Sequence, residues 1–372
     1  MKIAMIGHKR IPSREGGIEV VVENLASRMV ELGHEVVAYN RSGYHVAGKE
    51  FDNTKYKVYK GIRIKTIPTF KSAKLNAIVY SFGATIASLF KPFDVYHFHA
   101  EGPCFFLWIN RLFKRKARLI VTVHGLDWQR AKWGNFASKI LLAGERQAVK
   151  YADDIIVLSK NVQDYFRETY GRETIYIPNG IVAPESREAQ AITEKWGLES
   201  RRYILFLARL VPEKGLHYLI EAYKRIDTDV KLVIAGGNSH STEYVQTIEA
   251  MAQDDSRILF THFVQGQKLE ELYSNAYAFV LPSDIEGMAM SLLEAMSYGN
   301  CCLVSDIPEN VEVVGEYALT FKAGDVDDLE RKLRELLQNP DVVERYRSEA
   351  GAYILDKHNW DGIVSQTLEL YK

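Results

Sequence analysis

Tyr203-Ile204-Leu205-Phe206-Leu207-Ala208-Arg209-Leu210-Val211-Pro212-Glu213-Lys214-Gly215-Leu216 reads as a strand that runs into a loop and opens a helix. The β-forming run stops at Ala208, the loop carries two cations five residues apart, and a helix-length segment follows over Leu216–Arg225. A β-rich run followed by a helix is the unit of a parallel α/β sheet. The unit repeats downstream. Strands are predicted at Val230–Ala235, Ile258–Phe260, Ala278–Leu281, Cys302–Val304 and Ala318–Phe321, with helices at Tyr244–Ala252, Gln267–Asn275, Ser291–Tyr298 and Val326–Gln338.

Upstream there is a second series. Strands are predicted at Lys2–Gly7, His34–Asn40, Val95–His99, Arg118–His124, Asp154–Leu158 and Glu173–Ile177. Between the first two, Val21, Val22, Leu25, Met29 and Leu32 recur at helical spacing and Gly33 closes the helix. The turn Ile177-Pro178-Asn179-Gly180 and the polar stretch Pro184–Leu198 separate the two series. The economical reading is two doubly wound, Rossmann-like β/α/β domains, residues 1–180 and 181–356, facing a central cleft. Open α/β sheets bind ligands beyond the carboxyl ends of their strands, so the chemistry is sought there.

Composition agrees with this division. The 372 residues, 47% hydrophobic and 26% charged, are globular in proportion and exclude a disordered, collagen-like or coiled-coil chain. No apolar run reaches the roughly 18 residues of a membrane-spanning helix. The start Met1–Gly7 reads as a first strand, with no signal-peptide core. Cys104, Cys301 and Cys302 have no metal-type spacing and fit a reducing cytoplasm. Net charge is −1, yet residues 1–180 hold 28 Lys+Arg against 16 Asp+Glu and the remainder 19 against 32. A basic half beside an acidic half suggests two domains with different partners.

Arg209 and Lys214 flank a helix start, where free backbone N–H groups favour an anion. A diphosphate suits a planar fork and a point charge acting together. Two solvated surface charges would give the same pattern. A second loop, Leu281-Pro282-Ser283-Asp284-Ile285-Glu286-Gly287-Met288-Ala289-Met290, ends a strand and opens the helix that carries Glu294. Gly287 allows close backbone approach, and the amides of Met288, Ala289 and Met290 lie at the helix start. A loop carboxylate accepts from sugar hydroxyls, and one on the first turn suits a ribose diol. Either glutamate alone would equally complement a helix dipole.

Taken together, Ala208-Arg209-Leu210-Val211-Pro212-Glu213-Lys214-Gly215 and Glu286-Gly287 with Ser291-Leu292-Leu293-Glu294-Ala295-Met296 resemble the nucleotide-sugar signature of retaining glycosyltransferases of family 4, which have the GT-B fold. The resemblance covers nearly the whole chain. Arg14-Glu15-Gly16-Gly17-Ile18-Glu19 resembles the family's glycine-rich loop, and Val121-Thr122-Val123-His124-Gly125 resembles its active-site histidine strand. It implies that Arg209 and Lys214 bind the donor diphosphate and that Glu294 binds the ribose. Glu286 lies at the donor sugar with the amides of Gly287, Met288, Ala289 and Met290, and His124 contacts that sugar from the other domain. Gly16 and Gly17 close over the phosphates, and Val264, in Thr261-His262-Phe263-Val264, lies beside the base. The family often has Phe-Gly-Leu where this chain has Met288-Ala289-Met290. By chemistry Glu286 is also a candidate nucleophile, but the resemblance favours donor positioning. It also implies that the terminal helix, 357–372, crosses back to the first domain.

The expected function is retaining transfer of a hexosyl or rhamnosyl unit from a nucleotide sugar to an acceptor hydroxyl. The acceptor would be a lipid-linked or polysaccharide precursor of bacterial cell-surface glycan. The rival readings are a nucleotide-sugar epimerase of the same architecture and a non-catalytic glycan-binding module. No cofactor or metal is expected. Asp227-Thr228-Asp229 and Asp325-Val326-Asp327 read as turn and helix-cap chemistry, and His97 and His99 lack a third ligand. Lys9, Arg10 and Arg14, and Arg111, Lys114, Arg115 and Lys116 beside Phe105–Ile109, suggest a basic, aromatic face for the acceptor or an anionic membrane. His99, at a strand end, joins them as an acceptor-side candidate. Nucleic acid is not expected, since no recognition motif is present. The expected location is the cytoplasm, peripheral at the inner face of the cell membrane.

Overall fold

The computed structural model describes residues 1–14, 16–42, 56–69, 73–129, 135–237 and 242–372. They form two compact units, Met1–Gly180 with Trp360–Lys372, and Ile181–Asn359. In chain order the first unit holds β1 (Lys2–Ile6), α1 (Gly17–Glu31), β2 (Glu35–Arg41), β3 (Val58–Tyr59), β4 (Ile62–Ile67), α2 (Ala73–Leu89), β5 (Val95–His99), α3 (Glu101–Cys104), α4 (Leu107–Phe113), β6 (Arg118–Val123), α5 (Asn135–Tyr151), β7 (Asp154–Val157), α6 (Lys160–Tyr170) and β8 (Ile175–Tyr176). The second holds α7 (Ala191–Trp196), β9 (Tyr203–Leu207), α8 (Leu216–Lys224), β10 (Lys231–Ala235), α9 (Thr242–Ala252), β11 (Ile258–His262), α10 (Gln267–Asn275), β12 (Ala278–Leu281), α11 (Met290–Ser297), β13 (Cys301–Ser305), α12 (Pro308–Val314), β14 (Leu319–Phe321), α13 (Val326–Gln338) and α14 (Pro340–Lys357). Helix α15 (Trp360–Glu369) returns to the first unit.

The first sheet has the order β3-β4-β2-β1-β5-β6-β7-β8 and the second β11-β10-β9-β12-β13-β14. Pairings are parallel throughout except for the β3–β4 hairpin at the edge. Strand order reverses between β1 and β5 in one sheet and between β9 and β12 in the other. These are the topological switch points, where a crevice opens outside the carboxyl ends of the strands.

Local chemistry explains the element ends. The Ser159 hydroxyl accepts from the Val162 amide at 3.2 Å and starts α6, which Gly171 closes at φ +59°. Asp325 caps α13 by accepting from the Asp328 amide at 3.1 Å, so that D-x-D string is a helix start. Alternate residues of the central strands (Ala4 and Ile6, Tyr96 and Phe98, Leu119, Val121 and Val123) build one core layer. By the two-residue period of a strand, His97 and His99 fall on the opposite face.

Several elements differ from expectation. β4 lies beside β2, where no strand was predicted between Asn40 and Val95. Its alternation, Ile62-Arg63-Ile64-Lys65-Thr66-Ile67, is that of a half-buried strand near a sheet edge. α14 was also unanticipated. The terminal helix begins at Trp360, after a break at His358–Asn359. α15 is held on the first unit by specific contacts. A Cβ at Gly180 would lie 2.4 Å from the Trp360 ring, so only glycine admits that indole. Arg28 stacks 5.3 Å above the same ring, and Arg118 donates to the Leu370 carbonyl at 3.0 Å.

Candidate active site

In the second unit, β9 ends two residues before Arg209. Pro212–Lys214 then make one tight turn, and Gly215, at φ +65°, precedes α8. A Cβ on Gly215 would lie 1.9 Å from the Pro282 carbonyl. The glycine therefore lets the loop after β9 press onto the end of β12, across the switch point. There the Lys214 ammonium pairs with the Glu286 carboxylate, and the two side chains are only 13% and 6% exposed. Glu286 also accepts from the Ser283 hydroxyl at 2.7 Å. The Ser305 hydroxyl holds the Ser283 carbonyl, and Asn310 Nδ2 donates to Ser305 Oγ at 3.0 Å, so the loop is braced from beneath.

Met288, Ala289 and Met290 are all buried. Ala289 is the extended N-cap of α11. Glu294, on α11, accepts from the Tyr273 hydroxyl at 2.9 Å, and Tyr273 stacks on Tyr298 with ring centres 5.3 Å apart. Burial, then the Glu294 charge, push the Tyr273 phenol well up, so it remains a donor to that carboxylate. Val264 is half-buried in the loop after β11. Sequence reasoning assigned Lys214 and Glu286 to different parts of a ligand; the structure joins them as an ion pair. It also missed Ser283, two residues past the end of β12, and Tyr273, on α10.

In the first unit, Gly16 is the N-cap of α1 and Gly17 its first residue. A Cβ on Gly16 would lie 2.6 Å from Glu19 Oε2. The absent side chain makes room for Glu19 to fold back and accept from the Lys9 amide at 2.8 Å. Burial raises the Glu19 carboxyl, but the Lys9 charge and amide outweigh it and the net shift is downward. Glu15 lies outside the described residues. At the ends of β1, β5 and β6 stand His8, His99 and His124, with His97 two residues back within β5, all buried. His99 Nδ1 and His124 Nε2 are 3.1 Å apart, and His97 lies between the hydroxyls of Tyr371 (2.6 Å) and Thr122 (2.7 Å). Burial lowers His8 to about 4 and His97 to about 3, and holds His99 well below its ordinary value with help from its imidazole neighbours.

The basic face is corrected in three places. His99 and Arg10 are buried, so neither side chain lies where a bilayer reaches. Arg111 is taken up internally, pairing with Asp153 at 2.8 Å and donating to the Tyr151 carbonyl. Arg14, Arg115 and Lys116 are exposed, and Lys9 and Lys114 are half-buried.

Comparison with known proteins matches this layout. The family described as "Glycosyl transferases group 1" matches residues 188–352, and "Glycosyltransferase Family 4" matches residues 15–183. The alpha-maltose-1-phosphate synthase of Mycolicibacterium smegmatis is 23% identical over 408 residues, covering 100% of this chain and 99% of that protein. The O-antigen chain mannosyltransferase RfbU of Salmonella typhimurium is 28% identical over 214 residues, 57% of this chain and 58% of that one. The structure of Anabaena Alr3699/HepE in complex with UDP and glucose superimposes with a TM-score of 0.82 at 17% identity, covering 99% of this chain and 98% of that one. The fold is GT-B.

Proposed function

This chain belongs to the group 1, family 4 glycosyltransferases, and from that premise we propose that it moves a hexosyl or rhamnosyl unit, with retention, from a nucleoside-diphosphate donor to an acceptor hydroxyl of a cell-surface glycan precursor. What carries the reading is the switch point of the second unit, where the loops after β9 and β12 bring Lys214 and Glu286 together.

Arg209 and Lys214 hold the diphosphate, Glu294 takes the ribose, and Val264 lies at the base. Glu286 and the amides of Gly287, Met288, Ala289 and Met290 take the sugar. Gly16 and Gly17 close over the phosphates. His124 contacts the sugar from the first unit. As the bond from the anomeric carbon to the phosphate oxygen breaks, charge builds on the diphosphate, and the fixed cations stabilise it. The acceptor oxygen bonds to the anomeric carbon on the face the phosphate leaves, and the departing phosphate oxygen takes the acceptor proton. The reaction needs no metal in this reading. RfbU, a mannosyltransferase of O-antigen chains, and HepE, seen with UDP, support a nucleotide-sugar donor and a polysaccharide acceptor.

The acceptor is proposed to be membrane-borne and the chain peripheral at the inner face of the membrane. Phe82 (48% exposed) and Phe90 (82%), on and just past α2, and Trp108 (43%), Leu112 (49%) and Phe113 (65%) on α4 stand at the surface of two helices that pack together. Lys114, Arg115 and Lys116 follow directly. Exposed apolar side chains with cations following them suit an anionic bilayer.

The test is thermal stabilisation by UDP, GDP, ADP and dTDP and their sugar conjugates. Ligand at 100 times its Kd adds about 2.7 kcal/mol. One base should raise the midpoint, and Arg209→Ala should abolish the shift; no shift with any base would overturn the donor site. Conversion of the donor sugar without an acceptor would instead favour the epimerase reading.

A further inference from the structure

The switch point of the first unit is built around an imidazole that the transfer reaction does not itself require. His99 ends β5, and its backbone is fixed from two sides. Ala100 follows at φ +72°, ψ 161°, a region in which residues other than glycine are strained. At the end of β1, Gly7 lies so close that a Cβ there would sit 2.1 Å from the His99 carbonyl oxygen. The ring is fixed as well. His97 stacks on it at 4.2 Å and 27°, and His97 is itself clamped between Tyr371 and Thr122. His99 thus has a single place to put Nδ1, which is 3.1 Å from His124 Nε2.

Between two neutral rings that contact holds one proton. If His124 donated it, the His99 proton would sit on Nε2, which is buried and has no hydrogen-bond partner among the described residues. An unpartnered buried N–H is the less tolerable outcome, since orphaned donors are rarer in folded proteins than under-satisfied acceptors. The proton therefore belongs to His99 Nδ1. The burial of all four imidazoles, and their mutual repulsion, keeps His99 neutral and preserves the arrangement.

We propose that His99 is a positioning residue: it donates through Nδ1 to His124 Nε2 and so fixes His124 as the Nδ1–H tautomer. His124 then cannot act as a base through Nε2, and any hydrogen bond it makes through Nδ1 is one in which it donates. The inference rests on the reading that His124 meets the donor sugar.

Long-range proton–nitrogen spectra of the full chain labelled with nitrogen-15 histidine test it directly, with His124 assigned by loss of its signals in His124→Ala. The expected spectrum shows His124 and His99 both protonated at Nδ1 and bare at Nε2; a His124 ring protonated at Nε2 overturns the proposal. In His99→Phe, His124 should shift toward the Nε2–H form. Nucleoside diphosphate release, measured with whichever of UDP-glucose, GDP-mannose, ADP-glucose or dTDP-rhamnose is turned over, should fall about tenfold or more in kcat with KM unchanged. His99→Gln, whose amide can donate the same bond, should recover part of the loss. Full activity in His99→Phe also overturns the proposal. Full activity in His124→Ala would instead sink the reading of His124, while the spectra still decide the tautomer. If His99→Phe does not fold, the wild-type spectrum alone decides.

Discussion

Replacing Lys214 by Met strands a carboxylate. Glu286 is 6% exposed and, among the described residues, would keep the Ser283 hydroxyl, at 2.7 Å, as its compensating partner. Removing one member of a buried pair costs about 3–5 kcal/mol, and the remaining hydrogen bond places this case near the lower limit, about 3 kcal/mol. Glu286→Gln should cost somewhat less, because the Lys214 side chain, at 13% exposure, is nearer to water. The double variant Lys214→Met/Glu286→Gln carries no uncompensated charge and should lose only about 1 kcal/mol, since neutral replacements of buried pairs are often tolerated. The coupling between the two sites should then exceed about 2 kcal/mol. For a unit spanning 179 residues, each kcal/mol moves the midpoint by roughly 2–4 °C, so Lys214→Met should lower it by roughly 6–12 °C. Scanning calorimetry of the four proteins measures this. Singles that sum to the double within about 0.5 kcal/mol would refute the argument, for the pair would not then be desolvated. Ligand binding supplies an independent check. Glu286→Gln releases Lys214 from its carboxylate, so the preferred nucleotide should bind at least as tightly as to the wild type while transfer is lost.

Tyr273→Phe removes the hydrogen bond that orients Glu294 and should weaken nucleotide binding by about 1.5 kcal/mol, roughly tenfold, by titration calorimetry; unchanged affinity would mean that Glu294 is oriented by other contacts. Sedimentation with anionic vesicles should drop on Trp108→Ser/Phe113→Ser and on Lys114→Ala/Arg115→Ala/Lys116→Ala, and neutral vesicles should retain little protein; equal sedimentation throughout would remove the membrane face. His8 and His97 titrate near 4 and 3 in the fold against about 6.5 unfolded, so the unfolded chain binds more protons in between. Their contribution is full above about pH 6.5 and is lost as pH falls toward 4, about 2 kcal/mol each at pH 5. The melting midpoint should therefore fall from pH 7 to pH 5, less steeply in His97→Asn, and a midpoint independent of pH would refute the burial argument.

Much of this was legible because a parallel sheet advertises itself. The strand cores at Val95–His99 and Ala278–Leu281 and the helices at Gln267–Asn275 and Val326–Gln338 have the boundaries read from the sequence. β4 escaped because it lies next to the edge and alternates, where a search for buried apolar runs looks past it. α14 escaped because its core face is thin, with only Val343, Ala350 and Ile354 buried along eighteen residues. The Lys214–Glu286 pair joins positions 72 apart, which no local pattern records. The strand-end position of His99 was readable, but its burial was not, because that depends on β1 and β6 on either side.

The return of α15 to the first unit has a consequence for biosynthesis. The second unit is one uninterrupted stretch, Ile181–Asn359, and every residue it contains is made before Trp360. The first unit must wait. Until translation has passed through the whole of its neighbour, the slot over Gly180 lacks its indole and His97 lacks the Tyr371 hydroxyl. The earlier half of the chain therefore cannot make these last contacts until residues 360–372 have been synthesised. A lesion in residues 360–372 would be felt as a defect of the part of the protein that was synthesised earliest.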